Sequence, residues 1–151
     1  MFIHEALLCR AKNQSPIRVG LIVARKFGSM FLAQVPSTPG FEVVAIRDLF
    51  PDQAKATCAS IGWSKELIAQ TIFAQDAVEI MQSVEPDVIV EATGDPIAGI
   101  THARHAIASR RHIVMVKVES DVLSGSFLAQ EAEEAEVVYW MAYDDQPALT
   151  C

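Results

Sequence analysis

Six short apolar runs are spaced along this chain at residues 17–23, 42–48, 71–73, 87–91, 112–118 and 137–142, and they are continuous, not alternating. A strand with one face in water alternates apolar and polar residues. A continuous run demands cover on both faces, which is the condition of a parallel sheet. Parallel neighbours cannot be joined by tight hairpins, so each connection needs a crossover, usually a helix. Helical stretches lie between most of the runs. Residues 28–35 stop before Pro36, 51–61 open with Pro51 and close at Gly62, and 75–84 lead to the break at Glu85-Pro86. Residues 96–110 open with Asp95-Pro96, a cap followed by proline at the first helical position, and 121–135 follow the capping pair Ser120-Asp121. Strand–helix–strand units with right-handed crossovers predict an α/β fold: a doubly wound, mostly parallel, Rossmann-like sheet in a single domain, with strand order 3-2-1-4-5-6.

The chain has 151 residues, enough for one domain with a real core. Half of it is hydrophobic (51%), which excludes disorder. A formal charge of -7 argues against nucleic acid as a partner, since that needs a basic footprint. No apolar run approaches the roughly 20 residues of a membrane span, so no membrane partner is expected. The start carries an early Glu5 and no basic segment, a poor signal peptide. Residues 1–15 are expected to form a short helix lying on the domain at 16–142. Cys9, Cys58 and Cys151 are scattered without metal spacing, as in a reducing, cytoplasmic setting.

The first apolar run enters a turn, Val23-Ala24-Arg25-Lys26-Phe27-Gly28, that stands where a G-x-G-x-x-G fingerprint belongs. In that pattern the first glycine permits the tight turn, the second lets backbone approach a pyrophosphate, and the third allows close helix–strand packing. Only the third, Gly28, is present; Val23 and Arg25 replace the others. Two readings stand. Backbone N–H groups at the helix start, helped by Arg25 and Lys26, still attract phosphate. Alternatively Val23 and Arg25 fill the pyrophosphate space and dinucleotide binding is impaired.

Asp48 ends the second run 20 residues after Gly28, where an acid that holds a ribose is expected. It equally suits a strand-end turn, because Phe50 leaves the helix at Pro51 without a capping side chain. Arg47 beside it favours a 2′-phosphate that Asp48 would repel, so NAD and NADP both remain open. Glu91-Ala92-Thr93-Gly94-Asp95-Pro96 follows the fourth run, on the far side of the point where the strand order reverses. Thr93 and Gly94 suit a close approach to a nicotinamide ribose, and Asp95 reads as a helix cap. Lys117, Glu119 and Asp121 follow the fifth run, as a solvated loop or as an acid, phosphate or divalent-metal group. His102 and His105 have no ligand partner at suitable spacing and read as surface histidines. Glu131, Glu133, Glu134 and Glu136 read as an exposed helix face.

PIRVGLIVARKFGSM (Pro16–Met30), VEATG (Val90–Gly94), HIVMVKVESD (His112–Asp121) and YDDQPAL (Tyr143–Leu149) together resemble the 1-deoxy-D-xylulose 5-phosphate reductoisomerase-like oxidoreductases, a group related in its first domain to homoserine dehydrogenases. The resemblance covers essentially the whole chain but only the N-terminal part of a family member. It implies NADPH-dependent reduction of a sugar-phosphate-type substrate in isoprenoid precursor synthesis. It also implies cofactor contacts from Ala24, Lys26, Phe27 and Gly28 in the turn, from Asp48, Thr93 and Gly94, and from Glu119 at the site edge. This chain departs from the family pattern at Val23, Arg25, Arg47, Lys117 and Asp144.

The resulting expectation is an NAD(P)-binding domain of an oxidoreductase, inactive alone because its glycine loop is altered and the catalytic domain is absent. Residues 143–151 would be the truncated start of a link to that domain. The competing expectation is a non-catalytic interaction or self-association module that no longer binds nucleotide.

Overall fold

The computed structural model describes residues 3–22 and 25–142. The N-terminal helix α1 (Ile3–Lys12) precedes strand β1 (Ile17–Ile22), helix α2 (Arg25–Gln34), a 3-10 turn at Val35–Ser37 and strand β2 (Phe41–Arg47). Helices α3 (Pro51–Ser60) and α4 (Lys65–Gln70) lead to β3 (Ile72–Ala74), and α5 (Ala77–Ser83) leads to β4 (Val88–Glu91). Helix α6 (Pro96–Ala108), β5 (His112–Met115), α7 (Val118–Glu134) and β6 (Tyr139–Met141) complete the order. The six strands form one sheet ordered β3-β2-β1-β4-β5-β6, every pair parallel. This is the expected doubly wound arrangement.

The continuous apolar runs have a direct cause in the two faces. Leu21 and Val90 belong to a core with Leu32 of α2 and Ala54 and Cys58 of α3. Their chain neighbours Ile22 and Ile89 belong to the opposite core, with Met81 of α5, Ala103 and Ile107 of α6, and Leu128 of α7. Successive side chains of a strand point to opposite faces, so when helices cover both, every position turns apolar. Each full burial of such a side chain is worth roughly 1.5–3 kcal/mol. Trp63, between α3 and α4, is buried and donates its indole N–H to the Leu32 carbonyl at 2.8 Å, tying the α3–α4 connection to α2.

Local chemistry sets the helix starts. Asp95 Oδ1 accepts the backbone N–H groups of Ile97 (2.8 Å) and Ala98 (3.3 Å), capping α6 ahead of Pro96 as its sequence implies. Asp76 caps α5 by accepting the Val78 N–H, and Ser64 caps α4 by accepting the Leu67 N–H. Gly40 is in the left-handed region (φ +77°), and a Cβ there would run into the Leu7 carbonyl, so α1 can lie across this turn only over a glycine.

Three boundaries differ from expectation. Helix α4 was not expected: with six residues it is too short to display a helical period. Helix α2 begins at Arg25, so Gly28 is a buried helical residue and not the end of a turn. Strand β5 ends at Met115 and α7 starts at Val118, three residues before the predicted start. Ser120 is therefore no cap. It is fully buried in the first turn of α7 and donates to the Pro96 carbonyl at 3.3 Å, which docks α7 on α6. The stretch Val114–Val118, apolar except at Lys117, hides the boundary, because Val116 and Val118 satisfy a strand pattern as well as a helix start. The expected segment 143–151 lies outside the described residues.

Candidate functional site

The order of strands reverses between β1 and β4, and the crossovers from these strands leave on opposite faces of the sheet. A crevice opens there, at the carboxyl ends of the strands. Its volume is about 730 Å³, and Gly28, Arg47, Asp48, Phe50, Thr93 and Gly94 are among its lining residues. That volume lies within the range of roughly 300–1,000 Å³ common for small-molecule sites. Helix α2 opens beside it, and the unpaired N–H groups of a helix start carry partial positive charge suited to phosphate.

The fold thus brings together four of the sequence-predicted residues: Gly28 from α2, Asp48 after β2, and Thr93 and Gly94 after β4. Lys26 and Phe27 lie in the first turn of α2 by their backbone. Ala24 and Val23 fall outside the described residues. Glu119 does not line this crevice. It sits in the first turn of α7, after β5, with Lys117 Nζ 3.0 Å from its Oε1.

Asp48 fulfils the turn reading: its Oδ1 accepts the Phe50 N–H at 2.8 Å, which shapes the entry to α3. Its position in the crevice keeps the ribose reading open beside it. Arg47 donates its Nε–H to the Gln75 carbonyl at 2.8 Å, which anchors the guanidinium at the β2 rim. A nucleotide fits this donor set in part. The Asp48 carboxylate stands at the end of β2, Gly28 of α2 lines the crevice, and the Thr93–Gly94 pair stands at the end of β4.

The solvated-loop reading of Lys117, Glu119 and Asp121 needs correction, because the segment from Val118 onward is helix. Asp121 is turned inward and accepts the Tyr139 hydroxyl at 2.8 Å. Burial, reinforced by that carboxylate, raises the Tyr139 phenol well above its ordinary range. Among the described residues no three His, Cys, Asp or Glu side chains gather as a metal site.

His102 is also corrected. It is not a surface histidine: its side chain is only 13% exposed, and its Nδ1 lies 3.2 Å from Glu91 Oε1. Glu91 itself is fully buried. Thr93 donates to the same oxygen through both its backbone N–H (3.1 Å) and its hydroxyl (2.6 Å). No sequence motif joins the residues of this cluster. Its one available signal was an acidic residue closing an otherwise apolar buried strand, where an unpaired charge is costly. Glu131 is likewise more than an exposed charge: it takes a forked contact from Arg104 (Nη2–Oε1 2.9 Å), joining α6 to α7.

Fold and crevice define the class: a doubly wound parallel α/β domain of the Rossmann type with its cleft at the strand-order reversal. Solved structures with this fold include several oxidoreductases. A homoserine dehydrogenase from Thiobacillus denitrificans matches with TM-score 0.68 at 19% identity, over 83% of this chain and 29% of that one. The WlbA dehydrogenase from Bordetella pertussis, solved with NADH and UDP-GlcNAcA, matches with TM-score 0.68 at 17% identity, over 89% of this chain and 41% of that one. The scyllo-inositol dehydrogenase from Lactobacillus casei, solved with NAD(H) and scyllo-inositol, matches with TM-score 0.64 at 12% identity, over 89% and 39%. The chain thus spans between about three and four tenths of these proteins. No protein-family model matches the sequence, and no curated protein is significantly similar to it.

Proposed function

We propose that this chain is the NAD(P)-binding domain of an oxidoreductase that transfers hydride between nicotinamide and the carbonyl of a small substrate. The observation that carries the reading is the crevice itself, with Asp48 at the end of β2 and Thr93–Gly94 at the end of β4 on its two sides. A dinucleotide lies across such a reversal point with its adenosine ribose at the β2 acid, which leaves its other half for the β4 side. The bound nicotinamide supplies the hydride; the domain's own residues bind and orient it. The motif resemblance supports a phosphorylated substrate and NADP, while Asp48 favours NAD. The cofactors of the Bordetella and Lactobacillus proteins support nicotinamide dinucleotide in general. The scattered cysteines support a cytoplasmic setting, and among the described residues no helix is long and apolar enough to cross a membrane.

Titration with NADH and NADPH, followed by nicotinamide fluorescence, tests the reading. The wild type is expected to bind weakly and the Val23→Gly/Arg25→Gly double variant more tightly. Equal, tight binding by both would show that the altered turn leaves the site intact; no binding by either would overturn the cofactor assignment. The chain by itself is expected to show no NADPH oxidation with a sugar phosphate.

One observation favours the second reading, an interaction module. Val122, Leu123 and Phe127 of α7 and Val138 and Trp140 near the β6 edge are all more than 45% exposed, at 78, 64, 50, 55 and 59%. Exposed apolar groups on a helix and near a sheet edge favour self-association or a partner subunit. Sedimentation separates the readings. A monomer that saturates with nucleotide supports the cofactor domain, and an obligate oligomer blind to nucleotide supports the module.

A further inference from the structure

Glu91 closes β4 with its side chain completely buried. Oε1 receives the Thr93 N–H, the Thr93 hydroxyl and the His102 ring nitrogen, while Oε2 has no partner among the described residues. Oε2 faces the start of α6: a Cβ on Gly99 would stand 3.0 Å from it and 2.8 Å from the Ser120 hydroxyl oxygen. The absence of a side chain at Gly99 is what leaves room for the carboxylate. A position whose only task was to fill the end of a buried strand would be served as well by valine, since buried polar groups are often replaceable by apolar ones without loss. What the carboxylate adds is direction. One oxygen holds both the amide and the hydroxyl of Thr93, so the chain leaving β4 has its path set before it reaches Gly94 and the Asp95 cap.

We propose that Glu91, braced by His102, is a positioning residue that fixes Thr93 and Gly94 as the nicotinamide-side wall of the crevice. The assignment rests on the nucleotide-binding reading for the ligand, but the positioning of the loop has its own readout. Thr93 carries the effect, because it both contacts the buried carboxylate and lines the crevice. Asp48, on the opposite wall, is held through its own contact to Phe50 and does not depend on Glu91.

The test compares wild type, Glu91→Gln, Glu91→Ala and His102→Ala by calorimetry with NADH and with AMP, and by amide hydrogen exchange at Thr93 and Gly94. Glu91→Ala is expected to weaken NADH by about tenfold or more, the scale of losing hydrogen bonds to a buried charged acceptor. AMP, which needs only the Asp48 side, should change by no more than about twofold, as for sites without shared partners. Glu91→Gln keeps an acceptor oxygen for Thr93 and should recover most of the NADH affinity. His102→Ala should give a smaller loss of the same kind, and it carries the test if Glu91→Ala does not fold. A general structural role would weaken AMP and NADH alike; that result, or unchanged NADH binding, overturns the proposal. If neither the wild type nor the Val23→Gly/Arg25→Gly variant binds dinucleotide, the nucleotide reading fails and exchange decides the positioning role. Faster exchange at Thr93 and Gly94 in Glu91→Ala but not in Glu91→Gln upholds it, and unchanged exchange overturns it.

Discussion

Cys58 carries a consequence for pH. Its thiol is fully buried in the α2–α3 core, and burial pushes it from an ordinary 9.0 up to about 11. A group whose folded pKa is raised stabilises the fold in full below its unfolded value, and the contribution is lost as pH rises through the folded value. Stability should therefore fall between about pH 9 and pH 11, where the unfolded chain ionises its thiol and the folded chain does not. Thermal melts under reducing conditions at pH 8 and pH 10.5 check this: Cys58→Ala should lose less between the two than wild type. A remaining slope is expected from Tyr139, whose phenol is raised in the same direction. At this scale the sequence was readable where one residue acts on its near neighbours. Asp95 as a cap and Asp48 as a turn residue could both be read from a few adjacent positions. His102 could not, since its partner Glu91 lies 11 residues away across a loop and only the packing of α6 on β4 brings them together.

Among the elements, helix α6 depends on one side chain for its start. Asp95 satisfies two N–H groups that would otherwise lack partners, and Asp95→Ala should cost about 1 kcal/mol, within the usual 0.5–2 for lost caps. Urea unfolding would show this as a lower midpoint with an unchanged slope. Because the cap sits in the crevice wall, the same variant should also loosen Gly94. Helices with proline at the start are legible in the sequence: α3 at Pro51 and α6 at Pro96 begin where expected. Helix α4 is capped by Ser64 yet too short to show a period, and α7 lacks such punctuation. Helix α7 starts at Val118, where Lys117 gives no side-chain cap, and the polar pair Ser120-Asp121 that imitates one is used inside the helix, Ser120 against α6 and Asp121 against Tyr139. A cap-like residue can serve either purpose, and only its burial tells which.

For the molecule as a whole, the sheet separates two large cores, with a small third cluster at Ala45, Ala74 and Ile80, and the larger helices α6 and α7 depend on the core that holds Leu128. Leu128 is fully buried among Ile107, Ile113 and Met115, so Leu128→Ala should destabilise by about 3 kcal/mol, in the usual range of 2–5. Against a typical stability of roughly 5–15 kcal/mol that is a large share, and it should appear as a clear drop in the urea midpoint. The sequence by itself determined the class of fold. Six continuous apolar runs with helices between them admit a parallel sheet covered on both faces and little else, because backbone hydrogen bonding and burial must be satisfied together. It also marked the strand ends at which a crevice would open. Tertiary structure alone decided which side chains meet there. Gly28, Asp48 and Thr93 come from three separate crossovers, and Glu91 finds Thr93 and His102 only once α6 is docked. Local preference sets the conformation of a few adjacent residues, whereas a contact between distant ones exists only after the chain between them has been ordered.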